Sequence, residues 1–212
     1  MYFAATTSKN TTQHCVGVAT SSNVTGPYIP NNRPFVCSLS QGGAIDPAGY
    51  QDGTQRYVVY KIDGNSLGHG GPCGNDVAPY VPTPLMLQKV AADGITKQGS
   101  PTTLLDNNGA ADQGIVEAPS LVKSGNTYVL FFSSGCFAAG NYTVSYATAT
   151  AITGPYSRNA TPLFQTGTAG LSSPGGATIH TDGCHMVFHA SYNNVRPLYT
   201  ALVSINGTKV TY

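Results

Sequence analysis

Val16-Gly-Val-Ala-Thr-Ser-Ser-Asn-Val-Thr-Gly-Pro-Tyr28 returns 128 residues later as Val144-Ser-Tyr-Ala-Thr-Ala-Thr-Ala-Ile-Thr-Gly-Pro-Tyr156, with the shared pattern V-x-x-A-T-x4-T-G-P-Y. A motif that recurs over such a distance constrains the fold to stacked supersecondary units, each burying an apolar face against its neighbours, as in solenoids, arrays and propellers. Around the motif, aromatic and β-branched segments alternate with turn clusters. Met1-Tyr-Phe-Ala-Ala5, Tyr57-Val-Val-Tyr-Lys61, Tyr128-Val-Leu-Phe-Phe-Ser133 and His185-Met-Val-Phe-His-Ala190 read as one strand met four times. The last three follow Asp52-Gly53, Ser124-Gly125-Asn126 and Asp182-Gly183, the residues of tight hairpin turns.

Ahead of those turns lie short strands rich in small residues, Ala44 to Tyr50, Val116 to Val122 and Pro174 to His180. Behind the aromatic strands come third strands at Cys15 to Thr20, Thr83 to Val90, Tyr142 to Thr148 and Arg196 to Ile205. No segment has sustained helical periodicity with caps. Three or four strands per unit, with small residues crowding an axis, predict an all-β chain and a β-propeller, in one domain spanning residues 1–212.

Only 9% of the residues are charged and the net charge is +1, so neither nucleic acid nor an anionic membrane surface is expected as partner. No run approaches the roughly 18 apolar residues of a membrane span. Five Asn-x-Ser/Thr triplets, at Asn10, Asn23, Asn141, Asn159 and Asn206, together with five cysteines, point to an oxidising, extracellular setting, although the first residues do not read as a signal peptide. The cysteines are widely spaced and form no C-x-x-C, so no zinc site is expected, and the odd count leaves at least one thiol unpaired. Nucleophile-elbow, phosphate-loop and zinc-helix motifs are missing, and no cofactor or metal is expected. Gly68-His-Gly-Gly-Pro-Cys-Gly74 reads as a surface loop.

In an axial arrangement the inner strands share a channel, and two of them carry an acid among apolar neighbours, Asp46 and Glu117. A buried carboxylate must be hydrogen-bonded or paired, or its pKa must rise. Two acids on one cleft is the arrangement that glycoside hydrolysis uses, one protonating the leaving oxygen and the other acting on water or carbon. Asp52, Asp63, Asp93, Asp106, Asp112 and Asp182 read instead as turn residues, most of them beside glycine. His14 and His69 read as loop residues. Of the histidines on or beside the last strands (His180, His185 and His189), only His189 attracts interest as a site residue.

The sequence resembles glycoside hydrolase family 43 at G-V-A-T-S-x4-G-P-Y (17 to 28), at A-I-D-P with Gln51-Asp-Gly and Tyr57-Val-Val-Tyr, at V-E-A-P-S-L with Tyr128-Val-Leu-Phe-Phe-Ser, and at the second copy of the repeat. The resemblance implies a five-bladed propeller and inverting hydrolysis of arabinose- or xylose-containing plant cell-wall polysaccharide. It implies Glu117 as general acid, Asp46 as the carboxylate that raises its pKa, and Arg196 as a residue reaching the sugar. It further implies a general-base aspartate on a first inner strand, which no segment here matches. The expectation is a chain of about four blades with the first absent, inactive if the base is truly lacking; a non-catalytic carbohydrate-binding propeller is the alternative. Where the family carries Gly-His on the last inner strand, this chain has Gly175-Gly176.

Overall fold

The computed structural model describes residues 1–8 and 10–212. Its strands are β1 (Tyr2–Thr7), β2 (Asn10–Thr20), β3 (Ile29–Pro30), β4 (Ala44–Asp52), β5 (Gln55–Ile62), β6 (Leu85–Val90), β7 (Thr102–Leu105), β8 (Val116–Ser124), β9 (Thr127–Ser134), β10 (Thr143–Ala149), β11 (Ser157–Arg158), β12 (Gly175–Ile179), β13 (His185–His189), β14 (Leu198–Leu202), β15 (Ser204–Asn206) and β16 (Lys209–Thr211). They form antiparallel meanders in chain order: β1-β2-β3, β4-β5-β6-β7, β8-β9-β10-β11 and β12-β13-β14, followed by the hairpin β15-β16. The expected Arg196–Ile205 strand is therefore shorter and divided. Pro197 cannot donate to a ladder, and the chain breaks at Val203 before β15 begins.

Each pair of consecutive sheets encloses its own apolar core. Val16, Phe35, Val58 and Tyr60 fill the first interface, Val59, Leu85, Leu130 and Phe132 the second, and Phe131, Val144, Phe164 and Phe188 the third. Alternation explains how one strand serves two cores. Val58 and Val59, adjacent in β5, face opposite ways and are both fully buried, as are Leu130 and Phe131 in β9. The inner strands pack in succession, β4 against β8 and β8 against β12, which is the face-to-face sheet stacking of a β-propeller.

The repeated motif is the corner from β2 to β3 and from β10 to β11, the last two strands of each sheet. Val16 and Val144 open it in β2 and β10, and each carbonyl accepts from two successive amides beyond the corner: Phe35 (2.7 Å) and Val36 (3.2 Å), or Leu163 (2.8 Å) and Phe164 (3.1 Å). Gly26 and Gly154 sit at φ +87° and +84°, open to glycine at little cost. The closing tyrosines donate to the carbonyl four residues back, Tyr28 Oη to Val24 at 2.9 Å and Tyr156 Oη to Ile152 at 3.1 Å. Cys15 pairs with Cys37 and Cys73 with Cys136, leaving Cys184 as the free cysteine. No helix among the described residues is long and apolar enough to cross a membrane.

Candidate active site

The site begins with a backbone irregularity repeated in every inner strand. Pairing of β4 with β5 is in register at Ile45↔Lys61, skips Asp46 and Pro47, and resumes at Ala48↔Val59. β8 skips Ala118 and Pro119 between Glu117↔Ser133 and Ser120↔Phe131, and β12 skips Gly176 and Ala177 between Gly175↔His189 and Thr178↔Val187. The first skipped residue has a left-handed backbone in all three: φ is +53° at Asp46, +51° at Ala118 and +62° at Gly176. Such bulges re-aim side chains next to active sites. They also free an amide from the ladder, which must find another acceptor. Asp46 Oδ2 accepts from the Ala118 amide at 2.9 Å, and Ser133 Oγ from that of Gly176 at 2.8 Å.

This register corrects one expectation. Asp46 is equivalent to Ala118 and Gly176, whereas Glu117 is equivalent to Ile45 and Gly175, so the two acids do not occupy the same position of their strands. They nevertheless converge. A cleft of about 720 Å³, within the usual range for small-ligand sites, is lined by Asp46, Asp63, Glu117, Tyr142, His189 and Arg196.

Lys61, whose side chain is 0% exposed, stands between Glu117 and Asp63. Its Nζ donates to Glu117 Oε2 at 2.9 Å and lies 3.3 Å from Asp63 Oδ1. Tyr142 Oη donates to the other Glu117 oxygen, Oε1, at 2.6 Å. These contacts oppose the pKa order that the sequence suggested. Burial alone would raise the Glu117 carboxyl, but the Lys61 charge and the Tyr142 and Lys61 hydrogen bonds together hold it below the usual glutamate value. Asp46 is pushed up to about 6, first by burial and then by the Glu117 charge. Of the two carboxyls, Asp46 is therefore the one that holds a proton to higher pH. Burial would also lower Lys61, and the charges of Glu117, Asp63 and Asp46 outweigh it, so the ammonium persists.

On the opposite wall Arg196 is fixed by three acceptors: Nε donates to His189 Nδ1 at 2.8 Å, and its two terminal nitrogens donate to Ser191 Oγ and the Ser173 carbonyl, each at 2.7 Å. Accepting at Nδ1 places the His189 ring proton on Nε2. Burial and the Arg196 charge lower its pKa, so the ring is neutral. A Cβ on Gly176 would lie 2.3 Å from His189 Nε2, so His189 fills the space that a side chain at 176 would need. Tyr142 stacks on His189 with centroids 6.1 Å apart, and Phe137, half exposed, meets Tyr142 edge-on.

All four residues singled out from the sequence line this cleft. Sequence reading missed Lys61, Tyr142 and Asp63, the last because Asp63-Gly64 looks like a turn. Asp52, Asp93, Asp106, Asp112 and Asp182 do bond to nearby turns or structural partners. His14 belongs to β2 rather than to a loop, and it reaches the cleft rim. The 68–74 loop is more than surface: the Cys73–Cys136 disulfide and an Asp76 bond to the Cys73 amide (2.8 Å) hold Cys73 and Gly74 in the cleft wall.

A propeller with paired acids over its inner strands is the class that fold and site define. Residues 1–204 match the sequence model for glycosyl hydrolases family 43, and the chain belongs to that family. It is 35% identical over 85 residues to the beta-D-galactofuranosidase xynD of Aspergillus niger, a match covering 39% of this chain and a quarter of that protein's length. Among solved structures, a thermostable family-43 glycoside hydrolase superposes with a TM-score of 0.81 at 20% identity, covering all of this chain and 69% of that one. The family-43 endo-arabinanase from Bacillus licheniformis gives 0.73 at 20% identity, covering 100% and 71%.

Proposed function

We propose that this chain is a secreted glycoside hydrolase module acting on arabinose- or xylose-containing plant cell-wall polysaccharide by inversion, with Glu117 as general acid and Asp46 as the group that governs the shared proton. The convergence of these two carboxyls on one sugar-sized cleft carries the reading. Family membership and the fold shared with an arabinanase support the substrate class. On this reading residues 1–212 form one propeller domain of the five-bladed type, whose meanders supply four blades. Arg196 and the Nε2 of His189 donate to sugar hydroxyls, and exposed Phe137 offers an apolar face to a ring. Two disulfides, and exposed acceptor asparagines at 23, 141, 159 and 206, suit an extracellular glycoprotein.

Proton delivery follows from the environment of the pair. Substrate entering the cleft displaces water and removes solvation from Glu117, which raises its pKa and draws the proton from Asp46. Glu117 then protonates the leaving oxygen. kcat/KM falls as pH rises through about 6, where the pair of the free protein loses its proton.

Inversion also needs a carboxylate that activates water. Besides the pair, Asp63 is the third acid lining the cleft among the described residues, and it is tied to Lys61. That observation favours carbohydrate binding without turnover as the second reading. Incubation of an aryl arabinofuranoside or xyloside with and without azide separates the two, since azide substitutes for a missing base. Glycosyl azide formation, abolished by Glu117→Gln with a sugar leaving group, supports the hydrolase; oligosaccharide binding with no product under either condition supports the binding module. Absence of both binding and product overturns the assignment.

A further inference from the structure

The β12–β13 hairpin of the last sheet gathers side chains that the cleft does not use. Its turn is tight. His180 N donates to His185 O at 2.8 Å, Gly183 N donates to His180 O at 3.0 Å, and Gly183 has φ +75°. Residues 180 and 185 are thus cross-strand partners and project to the same side. Asp182 completes the turn through Oδ1, which accepts the amides of Cys184 (2.8 Å) and His185 (3.0 Å).

Turn closure accounts for one oxygen of Asp182. The second, Oδ2, lies 2.9 Å from His180 Nδ1 and 2.6 Å from His185 Nδ1, and Cys184 Sγ lies 3.3 Å from that same His185 nitrogen. Asp182, Cys184 and His185 therefore bring a carboxylate, the free thiol and an imidazole within 4.8 Å of one another, and His180 flanks them through its contact with Asp182. The imidazoles are 65% and 67% exposed, so a solute can reach them directly.

We propose that this hairpin is a binding site for a zinc-class transition-metal ion, held by His180 Nδ1, Asp182 Oδ2, Cys184 Sγ and His185 Nδ1. With metal–ligand distances of about 2.0–2.3 Å, the ligand atoms of a tetrahedral site stand about 3.3–3.8 Å apart. The Asp182 contacts with His180 and His185 are hydrogen-bond lengths, somewhat shorter, and His180 has to swing toward Cys184 and His185 to complete the set. Opening them asks only for side-chain rotation at an exposed surface. Imidazole and thiolate donors select zinc, cobalt or copper over magnesium and calcium. The two amide bonds to Asp182 Oδ1 already supply the outer hydrogen bonds that orient a ligating carboxylate. On binding, the Cys184 thiol proton passes to solvent, and each imidazole offers its Nδ1 lone pair with the proton on Nε2. The expectation of no zinc site rested on the lack of C-x-x-C and of paired Cys/His groupings, whereas here a single cysteine joins histidines brought together by a turn.

The test is cobalt(II) titration of the full chain under a non-thiol reductant, followed by zinc competition. One equivalent of cobalt should give tetrahedral d–d absorption and a sulfur-to-metal charge-transfer band. Cys184→Ser should abolish the charge-transfer band, and His180→Ala and His185→Ala should each weaken zinc binding about tenfold or more. Circular dichroism of the metal-free variants checks that the fold is kept, and sugar binding at the cleft should not change. Absence of tetrahedral cobalt absorption, or cobalt spectra and zinc affinity unaltered in the variants, would overturn the proposal.

Discussion

The inner strands β4 and β8 make the same bulge and put an acid in different places on it. In β4 the acid is the left-handed residue itself, Asp46, while in β8 the left-handed residue is Ala118 and the acid precedes it. The offset decides the surroundings. Asp46 receives a backbone amide and little else, and burial drives its pKa up; Glu117 receives an ammonium and a phenol, and its pKa goes down. In β12 the equivalent pair is Gly175-Gly176, and His189 occupies the vacated space. One backbone device repeated around an axis thus carries three chemistries, and the differences come from which register position holds the functional group.

The largest expected effect comes from removing the β8 acid. Glu117→Gln should lower turnover on a substrate with a sugar leaving group by about 10²–10⁴, measured in the azide-assisted reaction if hydrolysis is silent; a variant within twofold of the parent would deny Glu117 its role. Next is the cation that separates the two environments. Lys61→Met leaves Glu117 and Asp63 unpaired in a buried setting and should cost about 3–5 kcal/mol by urea unfolding. Carboxyl NMR of the same variant should show Glu117 titrating at higher pH, and an unmoved titration would mean that Lys61 does not set the difference between the strands.

A third test sharpens the β4 side. The Asp46 pKa is raised on folding, so its contribution to stability is full below the unfolded value near 4 and is lost as pH climbs through about 6. Asp46→Asn keeps an acceptor for the Ala118 amide and cannot ionise. Its melting temperature should match the parent's near pH 4 and exceed it by roughly 2–6 °C at pH 7.5, and the reverse trend would contradict the raised pKa. The smallest effect belongs to the third bulge. Ser133→Ala strips the acceptor from the Gly176 amide and should cost about 1 kcal/mol; a change confined to sugar affinity, with stability intact, would show that Ser133 acts on ligand instead.

Much of this was legible in the chain. The repeat marks a strand, a corner and the next strand because its Gly, Pro and Tyr are needed wherever that corner is made, and the hairpin glycines at 53 and 125 mark where β4 meets β5 and β8 meets β9. Asp46, Glu117, His189 and Arg196 stood out as polar residues at strand positions where apolar ones were expected. Lys61 did not, because a lysine ending Tyr57-Val-Val-Tyr looks like a solvated strand end. Only its two acidic neighbours, from Asp63 nearby and Glu117 on another sheet, make its burial possible. Tyr142 is likewise one tyrosine of thirteen until its hydroxyl meets Glu117.

What the sequence by itself determined is local: the alternation that makes strands, the turn residues that fold them into meanders, and the repetition that stacks the meanders. Those signals act over a few residues, and each is complete within its own segment. The tertiary structure alone decided the direction of each pKa shift and the meeting of Lys61 with Glu117 from another sheet. Pro47 and Pro119 mark two of the bulges in the chain, but electrostatics depend on distances across the axis, which no single strand encodes.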